Sequence, residues 1–332
     1  GRMSAPDLRG WAPIRISWQD GAPRVDWCEL GEARFDEPFF DQTIERCLLR
    51  PFTLLFRHQT PLDALDELAA QPVAAPAGFV FHMSRCGSTL LAQMLAALPA
   101  HLVISEAGPI DMLLRAHLRD PRITDAQRVA WLRGLLAAYA QCGQRARRLF
   151  VKFDSWSVFA LPLIRRAFPD TPWIFLYREP LEVLVSHARE RGSQMLPGVL
   201  QPELLGLDWQ GVGRLSLDEY SARVLERICA AAVAHAELGG GRLLHYRQLP
   251  GALWETLGGH FGLSWTAAEL AQMAAVAGFH AKRPHERFAP DAEEKRRAAT
   301  PELRALAAQR LDPWYAQLEA LRLRDEAAPA EG

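Results

Sequence analysis

The chain has 332 residues, enough for one large α/β domain or for one domain with a smaller appendage. Hydrophobic residues make up 49%, charged residues 23%, and the formal net charge is −1, so no global field favours nucleic acid or a membrane surface and any anion site must be local. The five cysteines lack metal-binding spacing, and neither a long apolar run nor a signal peptide is evident, which predicts free thiols, a cytoplasmic location and no membrane span.

The first part of the chain predicts a β-hairpin followed by a short helix. Residues alternate in polarity over 14–18 and again over 24–30, with the turn signal Asp20-Gly21 between them. Thr60-Pro61 predicts a helix start, because Thr is a common N-cap and Pro suits the first helical position.

A Pro- and Ala-rich stretch over 72–78 precedes a different pattern, in which short apolar runs alternate with helical segments. The runs predicted to be strands cover 79–83, 102–104, 149–152, 173–177 and 243–246. This alternation is typical of a parallel sheet with helices on its faces. We predict a small appendage over 1–75 and an α/β domain over 76–332, with a mostly parallel sheet of about five strands.

Several helices have start signals, each a hydroxyl residue followed three positions later by Glu or Gln. These pairs are Thr124 with Gln127, Ser216 with Glu219, and Thr266 with Glu269. Thr300-Pro301 opens a last helix, expected to break near Asp312-Pro313. The Gly- and Pro-punctuated segment 192–215 is a candidate mobile lid.

The polar loop 84–87 links the strand 79–83 to a helix, and this arrangement indicates an anion site. Unpaired N–H groups and the positive end of the helix dipole would meet there, and Ser88 and Thr89 add hydroxyl donors. Gly87 lets the backbone approach closely, and Arg85 adds a fixed charge. The alternative is an ordinary strand-to-helix turn with a chance cap.

The loop departs from the nucleotide-triphosphate motif, because His82 stands where the first Gly belongs and Ser88 where the Lys belongs. It resembles the 5′-phosphosulfate loop of the sulfotransferases that use 3′-phosphoadenosine 5′-phosphosulfate (PAPS). There a basic residue, a small residue, Gly and two hydroxyl residues follow the first strand. The resemblance implies contacts to PAPS from Arg85, Cys86, Gly87, Ser88 and Thr89.

Two later segments resemble the same family in the same order. Arg178 ends the fourth predicted strand and Ser186 follows eight residues later, as in the family's 3′-phosphate site. A guanidinium fork and a hydroxyl suit that task. Tyr246 corresponds to a tyrosine near the adenine, although Arg247 and Gln248 stand where the family commonly has an acidic pair. A solvated Arg178 and a core Tyr246 are the alternatives.

Basic residues near the end of the sequence fall where family members place a loop that closes on the 3′-phosphate. Lys282-Arg283 and the run 295–297 occupy this region, and Lys295 is the candidate cofactor contact. A solvated charged face is the competing interpretation.

The resemblance covers roughly residues 79–300. It implies a three-layer, P-loop-like α/β/α fold, PAPS as the sulfuryl donor, the bisphosphate PAP as the product, and no metal. The tyrosylprotein and bacterial branches look closer than the cytosolic aryl branch, because Arg85 replaces that branch's Lys and Leu90 its Trp.

Two carboxylates compete for the role of catalytic base. Glu106 follows the second predicted strand at the distance from Gly87 that matches the catalytic Glu of tyrosylprotein-type enzymes, and it is favoured. Asp154 follows the third strand, where the cytosolic branch has its catalytic His. Lys152 and Arg85 are the candidates for stabilising charge on the transferred group. The structural alternatives are an exposed acid at 106, a helix cap at 154 and an exposed lysine at 152.

The sequence leaves other functions open. A P-loop kinase of a small molecule is the second enzymatic reading, with the missing loop Lys against it. A catalytically silent nucleotide-binding protein is the third. For a sulfotransferase, the acceptor would carry a hydroxyl or an amine, and neither its class nor the oligomeric state can be read from the sequence.

Overall fold

The computed structural model describes residues 7–71, 74–143, 148–278 and 288–328, with the backbone alone for 288–291. Its strands are β1 (Trp11–Gln19), β2 (Ala22–Glu29), β3 (His58–Pro61), β4 (Gly78–His82), β5 (His101–Ser105), β6 (Arg148–Lys152), β7 (Trp173–Tyr177) and β8 (Gly241–His245).

The helices of the N-terminal half are α1 (Phe40–Leu48), α2 (Pro51–Leu55), α3 (Ala64–Ala69), α4 (Ser88–Ala96), α5 (Gly108–Leu114), α6 (Ala116–Arg119), α7 (Asp125–Cys142) and α8 (Leu161–Ala167). Those that follow are α9 (Pro180–Arg189), α10 (Trp209–Gly213), α11 (Leu217–His235), α12 (Gly258–His260), α13 (Ala267–Ala275), α14 (Phe288–Ala298), α15 (Pro301–Leu306) and α16 (Asp312–Ala327). None of the helices in the described ranges is both long and apolar enough to cross a bilayer.

The predicted hairpin is confirmed. Strands β1 and β2 pair antiparallel, and the turn between them places Asp20 (φ 50°) and Gly21 (φ 76°) in the left-handed region, as a type I′ turn requires. The predicted helix start at Thr60-Pro61 is wrong, because both residues lie in β3, paired with β2. The Thr60 hydroxyl accepts the buried indole N–H of Trp27 at 2.9 Å, so it serves the sheet and not a helix cap.

The predicted fold class is confirmed. A five-stranded sheet has the order β5-β6-β4-β7-β8, and the pairs β5–β6 and β7–β8 are parallel. Every residue of β4, β5 and β7 is buried. Parallel sheets are covered on both faces, which explains why these strands read as continuous apolar runs rather than alternating ones.

The predicted helix starts at Thr124, Ser216 and Thr266 are confirmed, since each hydroxyl accepts the backbone N–H three residues later. Thr300 likewise caps α15. Near Asp312-Pro313, where a break was expected, the helix does not end but changes its hydrogen-bonding pattern. A π-helical turn over Ala307–Leu311 leads into α16, where the proline lies in the first turn and its missing N–H costs nothing.

The chain divides into two compact units, one formed by 1–79 with 92–171 and the other by 80–91 with 172–332. Candidate residues fall in both units, and each unit is described separately below. The boundary predicted after residue 75 and the mobility of 192–215 stay predictions.

Candidate functional site

In the second unit, the loop between β4 and α4, here called the anion loop (residues 84–87), has an unusual backbone. Ser84 (φ 87°), Arg85 (φ 50°) and Gly87 (φ 89°) all occupy the left-handed region. For a residue other than glycine, this costs roughly 1–3 kcal/mol and persists only where its surroundings enforce it. Helix α4 begins directly afterwards at Ser88, so the N–H groups of its first turn follow the loop. The predicted strand, loop and helix are therefore present.

Contacts to the end of β7 hold the anion loop in place. The thiol of Cys86 donates to the carbonyl of Leu176 at 3.3 Å, and the N–H of Met83 donates to the same oxygen at 2.9 Å. Cys86 is completely buried. Its side chain is a packing group, so Cys86 can meet a ligand only through its backbone.

A buried polar network lies at the start of the anion loop. The hydroxyl of Ser84 lies 3.1 Å from His187 Nε2, and it accepts a hydrogen bond from Gln194 Nε2 at 2.9 Å. His187 is fully buried and Gln194 nearly so. Burial lowers the pKa of His187 to about 3, and the nearby charge of Arg85 lowers it further in the same direction. The imidazole is therefore neutral at physiological pH.

The charged head of Arg85 is exposed, and one of its nitrogens donates to the backbone carbonyl of Glu190 at 3.0 Å. Glu190 caps the C-terminus of α9. Carbonyls at a helix C-terminus carry partial negative charge, which explains why the guanidinium rests there.

Arg178, at the end of β7, is only 3% exposed. Its Nε lies 3.3 Å from Oε2 of Glu182, in the first turn of α9, and its Cζ lies 4.3 Å from the centre of the Tyr246 ring. Burial raises the pKa of Glu182, and a hydrogen bond to Glu179 raises it further. A carboxyl biased towards its protonated form neutralises less of the Arg178 charge, which suits an anion site. A solvated Arg178 is excluded by its burial.

Tyr246 connects this arginine to the anion loop. A Cβ built on Gly87 would lie 2.5 Å from Cδ2 of the Tyr246 ring, so the ring packs directly against the glycine. Ser186, on the same face of α9 as Glu182 and one turn later, is half-buried. The structure thus brings together Gly87, Tyr246 and Arg178. Their order in the sequence could not show this proximity.

The basic run 295–297 lies in the last turn of α14, which packs against α9. Lys295 lies in the last turn of α14, and Lys282-Arg283 fall outside the described residues. Two other arginines approach Glu179 Oε1, with Arg247 Nε at 3.7 Å and Arg296 Nη2 at 4.0 Å. Sequence reasoning named Arg296 only as part of the basic run 295–297 and Arg247 only as a departure from the family's acidic pair, and it singled out neither as a contact of the site.

In the first unit, Glu106 directly follows β5 and Lys152 is the last residue of the neighbouring β6, and the two form an ion pair, with Lys152 Nζ 3.1 Å from Glu106 Oε1. Lys152 is 1% exposed, which excludes the exposed lysine considered above. Glu106 has a φ of 53°, another left-handed backbone outside glycine. Such strain is commonly found at functional positions.

Asp154 lies two residues after β6. Burial raises its pKa well above the usual value, and the charges of Asp111 and Glu106 raise it further. It precedes a 3-10 turn but makes no side-chain capping bond, which excludes the helix-cap alternative. Asp111 is instead held by Arg115 at 2.6 Å and by the indole of Trp156 at 2.7 Å. Glu106, Lys152 and Asp154 are here called the acid–lysine cluster.

The raised pKa of Asp154 predicts a pH-dependent stability difference. A carboxyl whose pKa is higher in the folded state stabilises the fold below its unfolded pKa, and this contribution is lost as pH rises through the folded pKa. Asp154→Asn cannot ionise, so we expect its melting temperature to match that of the wild type near pH 3.5 and to exceed it increasingly towards pH 8. Thermal unfolding across this range is the measurement, and a difference that shrinks as pH rises would contradict the assignment.

Within the described ranges, no group of three or more His, Cys, Asp or Glu side chains is placed to hold a metal ion. No protein-family model matches the chain, and the search of curated proteins found no match.

Solved structures similar to the chain include a sulfotransferase domain from the curacin biosynthetic pathway, with 16% identity and a TM-score of 0.43 over 71% of this chain and 98% of that one. A sulfotransferase from Mycobacterium avium has 17% identity and a TM-score of 0.45, over 74% and 78% of the two chains. One from Alicyclobacillus acidocaldarius has 16% identity and a TM-score of 0.37, over 73% and 100%. Because the identities and TM-scores are this low, the function proposed below rests on the residues of the site.

Proposed function

We propose that the chain transfers a sulfuryl group from PAPS to a hydroxyl-bearing acceptor and releases PAP. One observation carries this proposal: within one unit, the Tyr246 ring contacts both Gly87 of the anion loop and the guanidinium of Arg178. Two anion-binding groups with an aromatic ring between them suit PAPS, whose ribose carries one anion at the 3′-oxygen and another at the 5′-oxygen beside a flat base.

Each part of PAPS has residues suited to it. The backbone of 85–87 with the hydroxyls of Ser88 and Thr89 would hold the phosphosulfate, and Arg178 with Ser186 the 3′-phosphate. Tyr246 would contact the adenine, and Lys295 is a further candidate for the 3′-phosphate. Arg178 is only 3% exposed, so a phosphate reaches its guanidinium only if Tyr246 or another neighbour moves aside.

The reaction requires in-line attack of the acceptor oxygen on sulfur. A new S–O bond forms, the bond from sulfur to the phosphate oxygen breaks with its electrons leaving on PAP, and the hydroxyl proton passes to a base. We propose Glu106 as that base, with Asp154 as the competing candidate. Lys152 and Arg85 would stabilise charge on the transferred group, a role worth roughly 3–4 kcal/mol for a preorganised donor.

Ligand binding tests the cofactor assignment. In a thermal-shift series with PAP, PAPS, ADP, and ATP with Mg²⁺, we expect PAP and PAPS to raise the melting temperature most, because both carry the 3′-phosphate. A larger shift with ATP and Mg²⁺ would favour the kinase instead. Tight binding of PAP without transfer to any acceptor would favour a catalytically silent protein.

Arg178→Ala tests the proposed 3′-phosphate site. We expect it to weaken PAP at least tenfold, as loss of a charge-assisted hydrogen bond would, and to leave adenosine 5′-phosphosulfate nearly unchanged, since that ligand lacks the 3′-phosphate. Calorimetry with both ligands is the measurement. Arg189→Ala, which removes an exposed arginine of α9 paired with Glu294, is the matched control. Equal losses for the two ligands would count against the site.

A further inference from the structure

Ser84, the first residue of the anion loop, is 6% exposed and keeps a left-handed backbone without being glycine. Its own N–H donates to His82 Nδ1 at 3.2 Å, so this backbone group is already used within the protein. The hydroxyl is therefore the group through which Ser84 can reach an anion.

The Ser84 hydroxyl oxygen meets two donors. The amide nitrogen of Gln194 can only donate, and it lies 2.9 Å away. The ring of His187 presents Nε2 at 3.1 Å. Its other nitrogen, Nδ1, accepts the N–H of Gly192 at 3.3 Å, which places the single hydrogen of the neutral imidazole on Nε2. Both neighbours therefore donate to Ser84.

A hydroxyl oxygen has two lone pairs and one hydrogen. Because His187 and Gln194 use the lone pairs, Ser84 can only donate to a third partner. Among the described residues, its hydrogen has no acceptor. Leaving a buried donor without a partner costs roughly 1–3 kcal/mol, so a loop of this kind is incomplete without an acceptor.

We propose that the Ser84 hydroxyl donates a hydrogen bond to the 5′-anion of the bound nucleotide, and that His187 and Gln194 are positioning residues which keep that hydrogen turned to the ligand. This inference rests on the proposed function, because it takes the anion loop as the site of the 5′-phosphosulfate. In this proposal the 5′-anion receives hydrogen bonds from the backbone of the loop and also from the Ser84 hydroxyl, whose hydrogen is oriented before the ligand binds.

Ser84→Gly tests the hydroxyl itself, since glycine adopts the required φ without strain. We expect PAP to bind about tenfold more weakly, as loss of a hydrogen bond to a charged group implies, while adenosine 3′-phosphate, which lacks the 5′-anion, binds within about twofold of wild type. Calorimetry with both compounds is the measurement. Ser193→Ala, at an exposed serine beside Gln194, should bind both as wild type does.

An unchanged affinity of Ser84→Gly for PAP would overturn the role of Ser84, and so would equal losses for the two compounds. Failure of the wild-type protein to bind PAP would instead overturn the proposed function and this inference with it. The two failures are therefore distinguishable.

A pair of variants tests the positioning role of His187. In His187→Gln the side-chain amide supplies an N–H near the place of Nε2, whereas His187→Met fills the buried space without a donor. We expect His187→Gln to bind PAP nearly as wild type does and His187→Met to bind it about threefold or more weakly, because one lone pair of Ser84 is released and the hydroxyl can turn away. Equal affinities of the two variants would overturn the positioning role.

Discussion

Glu106→Gln should lower sulfuryl transfer by roughly 10²- to 10⁴-fold, the usual contribution of a general base, while PAP binds within about threefold of the wild-type affinity. The amide keeps the shape of the side chain but cannot accept a proton. It also leaves the buried Lys152 without its carboxylate partner at 3.1 Å, so a fall in the melting temperature is expected as well. Single-turnover rates at saturating PAPS, together with the affinity for PAP, separate the chemical loss from a binding loss.

Asp154→Asn is the matched control for this experiment. It removes the competing carboxylate and leaves the Glu106–Lys152 ion pair in place. If Glu106 is the base, Asp154→Asn retains transfer within about tenfold of wild type. The reverse order, with Asp154→Asn inactive and Glu106→Gln active, would assign the base to Asp154. Its raised pKa would then be the relevant property, because a base is most effective when its pKa lies near the working pH.

Gly87→Ala should weaken PAP binding by at least tenfold. An alanine there must adopt a φ of 89°, which costs roughly 1–2 kcal/mol, and its Cβ would lie 2.5 Å from Cδ2 of Tyr246. Either the loop or the ring must move, and both are proposed to touch the nucleotide. A loss of 1.4 kcal/mol corresponds to a factor of ten in affinity. Titration with PAP followed by calorimetry is the measurement.

Gly262→Ala separates backbone strain from the clash with the ring. Gly262 also has a positive φ, 66°, but an added Cβ there would meet nothing within 4 Å. We expect it to lower the melting temperature without changing the affinity for PAP. In the double variant Gly87→Ala with Tyr246→Ala, the Tyr246→Ala change should reduce the affinity for PAP less than it does in the wild-type background. The reason is that it also removes the ring with which the added Cβ at position 87 clashes. Wild-type affinity in Gly87→Ala would remove the support for a nucleotide between loop and ring.

The parts of the fold encoded by neighbouring residues could be predicted from the sequence. The buried strands β4 and β7 appeared as apolar runs, and the caps at Thr124 and Ser216 appeared through their spacing to Gln127 and Glu219. Thr60 misled the prediction because a residue 33 positions away, Trp27, uses its hydroxyl. Sheet pairing outweighed a local capping preference there.

In the site, too, features formed by neighbouring residues could be predicted, and features formed by distant residues could not. The anion loop was visible because its residues are contiguous, whereas the Ser84–His187 contact joins positions 103 residues apart. The Tyr246 ring likewise meets Gly87 only through the fold. Burial of Lys152 was also hidden, since an isolated lysine at a strand end is usually exposed, and its pairing with Glu106 through the fold helps to compensate the buried charge.

The position of Tyr246 has a consequence for the protein in a cell, where inorganic phosphate and sulfate are abundant. A bare arginine at the end of a strand would hold such ions and be partly occupied before any nucleotide arrived. Here the ring lies over the guanidinium of Arg178, which is almost completely shielded from solvent. Displacing the ring loses its contact with Arg178, and a small anion has no flat base against which the tyrosine could pack instead. If the proposed site for PAP is correct, we therefore expect millimolar inorganic phosphate to compete poorly with PAP for binding.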